Sequence, residues 1–402
     1  MAGMTAPLDG IRVVEVASFV AAPSAGALLA DLGAEVIKVE VPEGELYRHT
    51  RPHMGGYKSD FDGAPPFEMD NRGKRSLALD LTRPEARDAL ARVIARADVV
   101  LTNLLPARQK KYGLDPESLR ARQPALIHAT LNGYGVRGDE ANAPAFDYTA
   151  YWARTGMMDM FRAPDVIPAF LRPGVGDHAA GVSLVAGILA ALRVRDRTGE
   201  GQAIEVSLLQ IGLYIQGNDM SNVLATGQSP PMHDRANPRN ALWNSYPTAD
   251  GRWLMLVMVE SQRYWPNVCR ALSLDSGVEQ DARFADPVAR YRNARALVEI
   301  LDGVFAQRTL PEWEAELSRH ALIWAPVRRM HEVIDDPQAR AMGYFSTVNH
   351  PKLGEFQSVG PPFRMSSHTM PANRPAPDLG ADNASVLREA GLTDDEIAKL
   401  GR

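Results

Sequence analysis

The chain has 402 residues, of which 45% are hydrophobic and 23% are charged, and its formal net charge at pH 7 is −5. This composition is typical of a globular protein with a large core, and the length favours two domains. The acidic balance provides no basic footprint for nucleic acid and no polybasic patch for a membrane surface. We therefore expect neither nucleic acid nor a membrane as a partner.

The cysteine content indicates a reducing, cytoplasmic location, since the one cysteine, Cys269, cannot form an internal disulfide. No histidine lies close to it in sequence, so we expect a buried, inert thiol. Residues 1–10 have neither the basic nor the apolar segment of a signal peptide. The longest apolar run, residues 182–192, is too short to cross a bilayer.

Strand-like and helix-like segments alternate in the first third of the chain. Runs typical of strands occupy 11–16, 35–39, 77–81, 98–102 and 126–131, and helical runs occupy 24–32 and 86–97. Gly33 is placed to end the first helix, and Thr82 to Glu85 has the form of a capping box for the second. Short strand–helix–strand connections imply parallel strands with right-handed crossovers. We predict a doubly wound, Rossmann-like α/β domain over residues 1–200.

The rest of the chain is predicted to contain a second domain and two connections. A strong apolar helix at 179–195 and a glycine-containing turn are followed by a predicted linker at 201–225. A smaller α/β domain is predicted at 226–330, with a capping box at Thr309 to Glu312. The stretch 331–377, which is Pro-rich after Asn349, is predicted to be a return linker. Two helices at 378–402 are predicted to rejoin the large domain.

Several common catalytic motifs are absent from the sequence. The turn after the first strand, residues 18–23, lacks the G-x-G-x-x-G pattern of dinucleotide-binding enzymes. There is no P-loop pattern and no G-x-S-x-G elbow, which argues against P-loop NTPases and serine hydrolases. The nine histidines show no paired ligand spacing, so we predict no metal site.

Asp177 stands out by its position, because a Gly-flanked loop, residues 174–177, precedes the helix predicted at 179–195. The simplest interpretation is a helix N-cap, a role for which Asp is favoured. The same geometry would also hold a carboxylate beside free N–H groups that can stabilise an oxyanion. His178 is adjacent in sequence, but neighbouring residues on a helix do not face each other, so no Asp–His dyad is expected.

A set of short segments places the sequence in a known family. The segments are LDGIRV at 8–13, LADLGAEVIKVE at 29–40, NRGKRS at 71–76, LDL at 79–81, GD at 176–177, AGILAAL at 186–192, TGEGQ at 198–202, APV at 325–327 and DPQAR at 336–340. In this order and spacing, along nearly the whole chain, they resemble the class III CoA-transferases, which include formyl-CoA transferase and carnitine-type CoA-transferases.

The resemblance implies that Asp177 is a nucleophile. Its carboxylate would attack an acyl-CoA thioester, giving a mixed anhydride and CoA thiolate. The thiolate would then form an aspartyl-CoA thioester and release the donor acid, and an acceptor acid would reverse these steps. The resemblance further implies coenzyme A and small organic acids as substrates, no prosthetic group, and an interlocked homodimer.

The resemblance also implies a set of CoA contacts, most of which follow the predicted strands, where open α/β sheets bind ligands. These residues are Val20, Ala21, Leu79, Asn103, Leu104, Asn132 and Tyr134. Lys111 stands where the family often has Arg and is expected to meet a CoA phosphate, although a solvated helix face is the competing interpretation. Val41 replaces a phosphate-binding Arg of formyl-CoA transferase, and Arg48 or Arg75 is the candidate replacement.

Two alternatives to a transferase stay open on the sequence alone. The same superfamily includes α-methylacyl-CoA racemase, in which a His and the equivalent Asp transfer protons. Phe146 stands in place of that His, and phenylalanine cannot move a proton. The second alternative is a non-catalytic CoA-binding protein, against which the retained Asp177 argues.

The acid substrate is expected to be larger than formate, because no Gly-rich loop of the formyl type occurs between Ala236 and Arg263. Tyr151 and Trp152 are candidates to line an acyl pocket, with a structural aromatic cluster as the equal alternative. Arg154 or Arg172 is a candidate to bind a second carboxylate.

Overall fold

The computed structural model describes residues 6–163 and 165–400. Its contacts divide this part of the chain into two compact units. The first unit comprises the described residues up to Met160, Pro168–Pro230 and the described residues from Gln338 onward. The second comprises the described residues of Phe161–Ile167 together with Pro231–Pro337.

Both units contain β-strands and α-helices, numbered in chain order. The strands are β1 (Arg12–Val16), β2 (Glu35–Glu40), β3 (Arg75–Ala78), β4 (Val99–Thr102), β5 (Ile127–Asn132), β6 (Ala203–Ser207), β7 (Trp243–Pro247), β8 (Trp253–Val257), β9 (Trp324–Pro326), β10 (Phe345–His350) and β11 (Gly354–Val359). The α-helices are α1 (Ala21–Asp31), α2 (Pro65–Asn71), α3 (Pro84–Ile94), α4 (Pro106–Tyr112), α5 (Pro116–Arg122), α6 (Met157–Met160), α7 (Val175–Thr198), α8 (Leu208–Ile215), α9 (Gly217–Thr226), α10 (Ser261–Ala271), α11 (Ser276–Glu279), α12 (Pro287–Arg292), α13 (Ala294–Phe305), α14 (Leu310–Leu317), α15 (Met330–Val333), α16 (Pro337–Ala341), α17 (Asn383–Glu389) and α18 (Asp394–Leu400). Shorter 3₁₀ turns lie at Leu46–His49, Pro52–Gly55 and Ala282–Phe284, and a π-helical turn lies at Tyr148–Ala153.

The first unit is built on a parallel sheet in the order β3-β2-β1-β4-β5-β6. This is the strand order of the doubly wound Rossmann fold, so the predicted parallel α/β architecture is confirmed. The order reverses between β1 and β4. Open α/β sheets bind ligands in the crevice outside the carboxyl ends of the strands at such a point.

Helices cover both faces of this sheet, so most residues of β1 to β5 are buried. Alternate residues of β1 illustrate the two layers. Val13 packs into the cluster that contains α1 and α7, whereas Val14 packs into the cluster that contains α3 and α17. Helix α17, near the carboxyl end of the chain, contacts α3 and β3. The last helices therefore belong to the same unit as the first strand.

Helices α1 and α7 pack closely on the first face, and Gly181 permits this contact. All residues of α1 are buried, and most are small. A Cβ on Gly181 of α7 would lie 2.2 Å from Ser24 Oγ and 2.9 Å from the Ala21 carbonyl oxygen. Position 181 therefore cannot carry a larger side chain unless one of the two helices moves. Gly26 of α1 makes room for a side chain of β1 instead, since a Cβ there would lie 2.0 Å from Glu15 Oε2.

Three local predictions differ from the structure. Residues 201–225, expected to be a linker, contain β6, α8 and α9. The capping box at Thr82 is wrong, because Thr82 donates to Asp80 and the N-cap of α3 is Arg83 with no side-chain cap. The return stretch 331–377 contains α15, α16 and the antiparallel hairpin of β10 and β11.

The second unit has an antiparallel sheet in the order β7-β8-β9, packed against α10, α13 and α14. The capping box predicted at Thr309 is confirmed, since Glu312 accepts from the Thr309 backbone N–H at 2.8 Å. Cys269 lies in this core and is 2% exposed, as expected. Burial raises the pKa of its thiol to about 12.

One helix of the described chain, α7, has the length and apolar composition that a membrane crossing would require. A central helix of a water-soluble core has the same properties, and α7 contacts α1, α8, β5 and β6. Its composition is therefore weak evidence of a membrane span.

The contact between α1 and α7 predicts a strong effect of a single methyl group. We expect Gly181→Ala to destabilise the first unit by about 1–3 kcal/mol, because the added Cβ overpacks an interface that contains backbone atoms. Thermal unfolding followed by circular dichroism measures this effect. Gly217→Ala in α9, where a Cβ would meet nothing within 4 Å, is the matched control and should not lower the melting temperature. Equal melting of Gly181→Ala and wild type would contradict the close packing.

Candidate active site

The turn after β1 lies at the reversal point of the sheet and is held by side chains. Asn103, directly after β4, accepts from the Ser18 N–H at 3.2 Å and donates to the Ser18 carbonyl at 2.7 Å. Phe19 has the left-handed backbone conformation, with φ of 67°, which is uncommon for a residue other than glycine. Its N–H donates to Glu45 Oε2 at 2.5 Å. These bonds fix the position of the turn.

A buried network of ion pairs includes Glu45, the residue that accepts from the Phe19 N–H of this turn. Lys38 Nζ lies 3.2 Å from Glu15 Oε1 and 2.7 Å from Glu45 Oε1. Lys74 Nζ lies 2.8 Å from Glu15 Oε2. The four side chains are at most 5% exposed. Because removing one member would leave an unpaired buried charge, we infer that the network is mutually dependent.

Helix α7 begins at Val175, two residues before the candidate nucleophile Asp177, and glycines lie at positions 174 and 176. Gly174 is the N-cap and has φ of 86°, a left-handed conformation that glycine adopts without strain. Gly176 must be glycine, because a Cβ there would lie 2.4 Å from Tyr151 Cγ. Asp177 is therefore in the first turn of α7, and its interpretation as the N-cap is wrong. An acidic side chain in a first helical turn still faces the positive end of the helix dipole.

Asp147 anchors the start of α7 and was not identified from the sequence. Its Oδ2 accepts from the Gly174 N–H at 2.8 Å, and Asp147 is 2% exposed. The π-helical turn Tyr148–Ala153 follows it directly. On the other side of the loop, a Cβ on Gly174 would lie 4.0 Å from Val20 Cγ1. The loop that carries Asp177 thus lies beside the turn after β1.

The carboxyl group of Asp177 has a pKa of about 7, against an ordinary value of 3.8. Burial is the largest cause, and the negative charges of Asp147 and Asp70 raise the pKa further. His178 opposes them. The α7 dipole also favours the ionised form, but a surface dipole effect is worth only about 0.3–1 kcal/mol. At neutral pH the group is therefore divided between its acid and its carboxylate.

His178 faces Asp70, on α2, and the two side chains form an ion pair with His178 Nε2 3.0 Å from Asp70 Oδ1. Burial alone would lower the pKa of His178, but Asp70 and Asp177 outweigh it and raise the pKa. Tyr47 lies in the same electrostatic environment. Burial, followed by the charges of Asp70 and Asp177, raises the pKa of its phenol, which therefore stays protonated.

The residues expected to contact CoA follow the strand ends as predicted in sequence, although most are partly or wholly buried. Val20 and Ala21 start α1, and Leu79 follows β3 and donates its N–H to the Glu40 carbonyl at 2.8 Å. Leu104 follows β4 and donates its N–H to Thr102 Oγ1 at 3.1 Å. Their backbone atoms are thus already oriented by the sheet edge.

Asn132 ends β5 and has an unused donor. Its Oδ1 accepts from the Gly135 N–H at 2.7 Å, while Nδ2 has no hydrogen-bond partner within the described chain. The residue is 6% exposed. A buried donor without a partner is costly, and a ligand carbonyl would satisfy it. Tyr134, two residues further on, is partly buried with the Arg154 guanidinium 5.5 Å from its ring centre.

Lys111 and Arg75, which are proposed to contact a CoA phosphate, differ in whether their charge is already paired within the chain. Lys111 is exposed near the end of α4, with Nζ 5.7 Å from the Tyr112 ring centre. Arg75 begins β3, at the amino end of the strand, and pairs with Glu389 at 2.9 Å and with Glu35. Its guanidinium stabilises the contact with α17, so Arg75 is less available to a CoA phosphate than Lys111, and its assignment as a CoA ligand stays a prediction.

Arg48 is also occupied, so it does not simply replace the arginine that is absent at Val41. Its Nε donates to Glu40 Oε1 at 2.7 Å and its Nη2 to Glu40 Oε2 at 2.5 Å. The guanidinium also lies 4.4 Å from the Phe67 ring centre. Val41 itself is 52% exposed after β2.

The aromatic candidates divide into core and surface residues. Tyr151 and Trp152 are 3% and 8% exposed and belong to the core cluster of the first unit, which supports the structural interpretation. Phe146 is 58% exposed and packs edge-on against Phe19 with ring centres 5.4 Å apart. Arg154 pairs with Glu140 at 2.8 Å.

A metal centre finds no support in residues 6–163 and 165–400, where no group of three or more His, Cys, Asp or Glu side chains could hold an ion. Asp147, Asp70 and Tyr47 are the functional candidates that sequence reasoning missed. Asp147 carried one signal, since it directly follows Phe146 in the segment compared with the racemases. Asp70 carried none, because its partner His178 is 108 residues away.

The raised pKa of Asp177 predicts a pH-dependent cost in stability. In the folded chain the group stays protonated up to about pH 7, whereas in the unfolded chain it ionises near pH 4, so wild type loses stability across this interval. Asp177→Asn cannot ionise. We expect it to exceed wild type by on the order of 2–4 kcal/mol above pH 7 and to match it near pH 4.

Chemical denaturation of both proteins between pH 4 and pH 8 measures this difference. Asp395→Asn, which changes a carboxylate in the first turn of α18, is the matched control. A constant difference between Asp177→Asn and wild type across the pH range would contradict the raised pKa.

Comparison with known proteins identifies relatives along nearly the whole chain. A family model described as CoA-transferase family III matches residues 8–383. The (R)-2-hydroxy-4-methylpentanoate CoA-transferase of Clostridioides difficile is 31% identical and covers 97% of each chain. The succinate–glutarate CoA-transferase of Agrobacterium fabrum is 33% identical and covers 95% of each chain.

A solved structure has the same fold. The crystal structure of a CaiB/BaiF family protein from Brucella suis superposes with a TM-score of 0.84 at 31% identity, covering 96% of this chain and all of that one. On the family model and on these relatives, the chain belongs to CoA-transferase family III and is a CoA-transferase that uses acyl-CoA as a substrate.

Proposed function

We propose that Asp177 is the nucleophile that carries coenzyme A between a donor acyl-CoA and an acceptor carboxylic acid. The observation that supports this most is the placement of one half-buried carboxyl group in the first turn of α7, beside the turn after β1. Buried carboxyl groups with strongly perturbed pKa values are typical of functional sites. Asp147, whose charge adjoins it, is engaged by the Gly174 N–H and is not free to attack.

The reaction proceeds as an exchange of acyl groups on one oxygen nucleophile. The Asp177 carboxylate adds to the thioester carbonyl, the C–S bond breaks, and CoA leaves as a thiolate while a mixed anhydride forms. The thiolate attacks the Asp177 carbonyl of the anhydride and releases the donor acid as a carboxylate, leaving an aspartyl-CoA thioester. The acceptor carboxylate then repeats these steps in reverse. Each step exchanges carbonyl substituents of comparable reactivity, so several low barriers replace one high barrier.

A pKa near 7 suits this nucleophile. A more basic carboxylate is a better nucleophile, but only the ionised fraction reacts, so a pKa close to the working pH is a compromise between the two.

We propose that the acyl-CoA lies along the carboxyl edge of the sheet. The contacts that we expect involve the backbone of Val20, Ala21, Leu79 and Leu104, the side chains of Asn103 and Asn132, and Tyr134 and Lys111. The unused Nδ2 of Asn132 supports this placement, since pantetheine amides supply the carbonyl acceptor that it lacks. Arg75 is left out of this set because it is already paired.

The acceptor and donor acids are proposed to be larger than formate. The relatives described above act on a branched 2-hydroxy acid and on dicarboxylates, and the exposed rings of Phe146 and Phe19 offer an apolar surface near Asp147. A matrix of acyl-CoA donors against hydroxy acids, dicarboxylates and formate, with products separated by chromatography, tests the size limit. Efficient transfer to formate alone would contradict it.

We also propose an interlocked homodimer in the cytoplasm. Large apolar side chains remain exposed on the single chain, and a second copy of the chain would cover them. Examples are Leu189 on α7, which is 37% exposed, and Tyr214 and Leu224 on α8 and α9, which are each 80% exposed. Light scattering after size-exclusion chromatography should give twice the 44.0 kDa of one chain. A 44.0 kDa species at micromolar concentration would exclude the dimer.

Removal of the Asp177 carboxylate tests the proposed nucleophile. We expect Asp177→Ala to lower kcat by at least about 10⁴-fold, because no covalent intermediate can form. In wild type incubated with donor acyl-CoA alone, mass spectrometry should find the mass of CoA on the peptide that carries Asp177. Asp159→Ala, in α6, is the control for loss of a carboxylate.

Full activity of Asp177→Ala would overturn the mechanism. Exchange of the α-proton of a 2-methylacyl-CoA in deuterated water without an acceptor acid would instead favour the racemase. Absence of both adduct and turnover, with tight CoA binding, would favour a non-catalytic CoA-binding protein.

The proposed phosphate contact of Lys111 has a built-in control, because Lys110 is the preceding residue on the same exposed helix. We expect Lys111→Ala to raise KM for acyl-CoA by about three- to fivefold with kcat unchanged, as for an exposed ion pair. Lys110→Ala should leave KM unchanged. Steady-state kinetics at low and high salt measures the effect, which should shrink with salt. Identical KM values for the two variants would assign Lys111 to a solvated helix face.

A further inference from the structure

Asp70 is a buried carboxylate that the proposed mechanism does not use. It lies on α2, is 1% exposed, and its Oδ1 pairs with His178 Nε2 at 3.0 Å. Its Oδ2 has no hydrogen-bond partner within the described chain. The nearby Arg72 does not supply the missing partner, because its Nη2 lies 2.6 Å from Asp31 Oδ2. A buried carboxylate with a single partner is costly unless that partner is positively charged. The pair therefore favours the imidazolium form of His178.

His178 is the residue next to the proposed nucleophile. Its ring adjoins the N-cap of α7, since a Cβ on Gly174 would lie 3.5 Å from His178 Nδ1. Its side chain is 39% exposed and, with Asp70, lines a cavity of 420 Å³ in the first unit. The ring can thus exchange protons with solvent while Asp70 fixes its orientation.

We propose that Asp70 and His178 form a positioning pair that holds a positive charge beside Asp177 and thereby increases the ionised fraction of Asp177 at neutral pH. This inference rests on the proposed function, in which the carboxylate of Asp177 is the attacking group. Asp147 cannot do this, because its own charge opposes ionisation of Asp177. Asp70 alone would also oppose it, so the favourable effect requires the imidazolium.

The remaining charged and titratable groups near the pair do not take over this role. They are Tyr47, Asp147 and Lys74, together with Arg72 and Arg364, which line the same cavity. Lys74 is held by Glu15 at 2.8 Å, and the Arg364 guanidinium donates to the Met342 carbonyl. Tyr47 stays neutral. Among these described groups, His178 is thus the one whose positive charge lowers the pKa of Asp177. That charge is not neutralised by a carboxylate outside the site.

The pH profile of kcat/KM distinguishes this role from a purely structural one. His178→Gln removes the charge, so the acid limb of the profile should move to higher pH by about one unit, a value limited by the partial exposure of the ring. At pH 6 the variant should be about tenfold slower than wild type, and above pH 9 the two should agree within about threefold. His178→Lys keeps a positive charge and should restore the limb. His320→Gln, which removes a histidine paired with Glu316, is the matched control and should leave the profile unchanged.

A measurement without turnover supports the same assignment. In a His178→Gln background, the stability difference between Asp177→Asn and Asp177 should continue to grow to higher pH than in wild type, because loss of the imidazolium raises the pKa of Asp177 further. If His178→Gln does not fold, His178→Lys is compared with wild type instead. The acid limb of its kcat/KM profile should then lie at the same pH as the wild-type limb or at a lower pH.

The outcomes separate this inference from the proposed function. Activity in Asp177→Ala would overturn the nucleophile and the inference together. An inactive Asp177→Ala combined with a His178→Gln profile that coincides with wild type, or that falls equally at every pH, would overturn the positioning pair alone. A shifted limb that His178→Lys restores is the result that supports it.

Discussion

The hydrogen bond from the Gly174 N–H to the Asp147 carboxylate, 2.8 Å long, fixes the residue at which α7 begins. The 24-residue helix then carries Asp177 in its first turn and contacts α1 along its length. An ionised carboxylate makes a strong anchor for a backbone N–H. The same charge lies close enough to Asp177 to disfavour a second carboxylate. Precise placement of Asp177 therefore comes at some cost in its ionisation, and the positive charge of His178 offsets part of that cost.

The turn after β1 shows a second solution to a familiar problem of this fold. Dinucleotide-binding enzymes use glycines there so that the backbone can approach a pyrophosphate. This chain has Phe19 in a left-handed conformation instead. The Glu45 carboxylate accepts from the Phe19 N–H, and the Asn103 side chain accepts from the N–H of the preceding Ser18. Glu45 is in turn paired with Lys38 in the buried ion network. The shape of the turn after β1 thus depends on buried charged side chains rather than on the conformational freedom of glycine.

The sequence predicted the features that depend on local pattern. Strands β1 to β5 are mostly buried and rich in β-forming residues, whereas β6 is half exposed and was missed. Asp177 was placed at a helix start, but its exact position in the turn depended on Gly174 and on a carboxylate 27 residues before Gly174. Arg75 was assigned to a ligand because its partner Glu389, 314 residues away, could not be seen in the sequence. Ion pairs between residues so far apart in sequence form only in the folded chain.

The burial of Cys269 has a consequence for the handling of sulfur during turnover. Transfer through the proposed aspartyl intermediate would release CoA as a thiolate in every cycle, and a reactive enzyme thiol would compete for the acyl group by transthioesterification. The chain's one cysteine is 2% exposed and its thiol is hard to deprotonate, so it is a poor acceptor. Acyl groups consequently have no sulfur acceptor on the native enzyme except CoA itself. A thiol-reactive dye added to the native protein would report free CoA with little background.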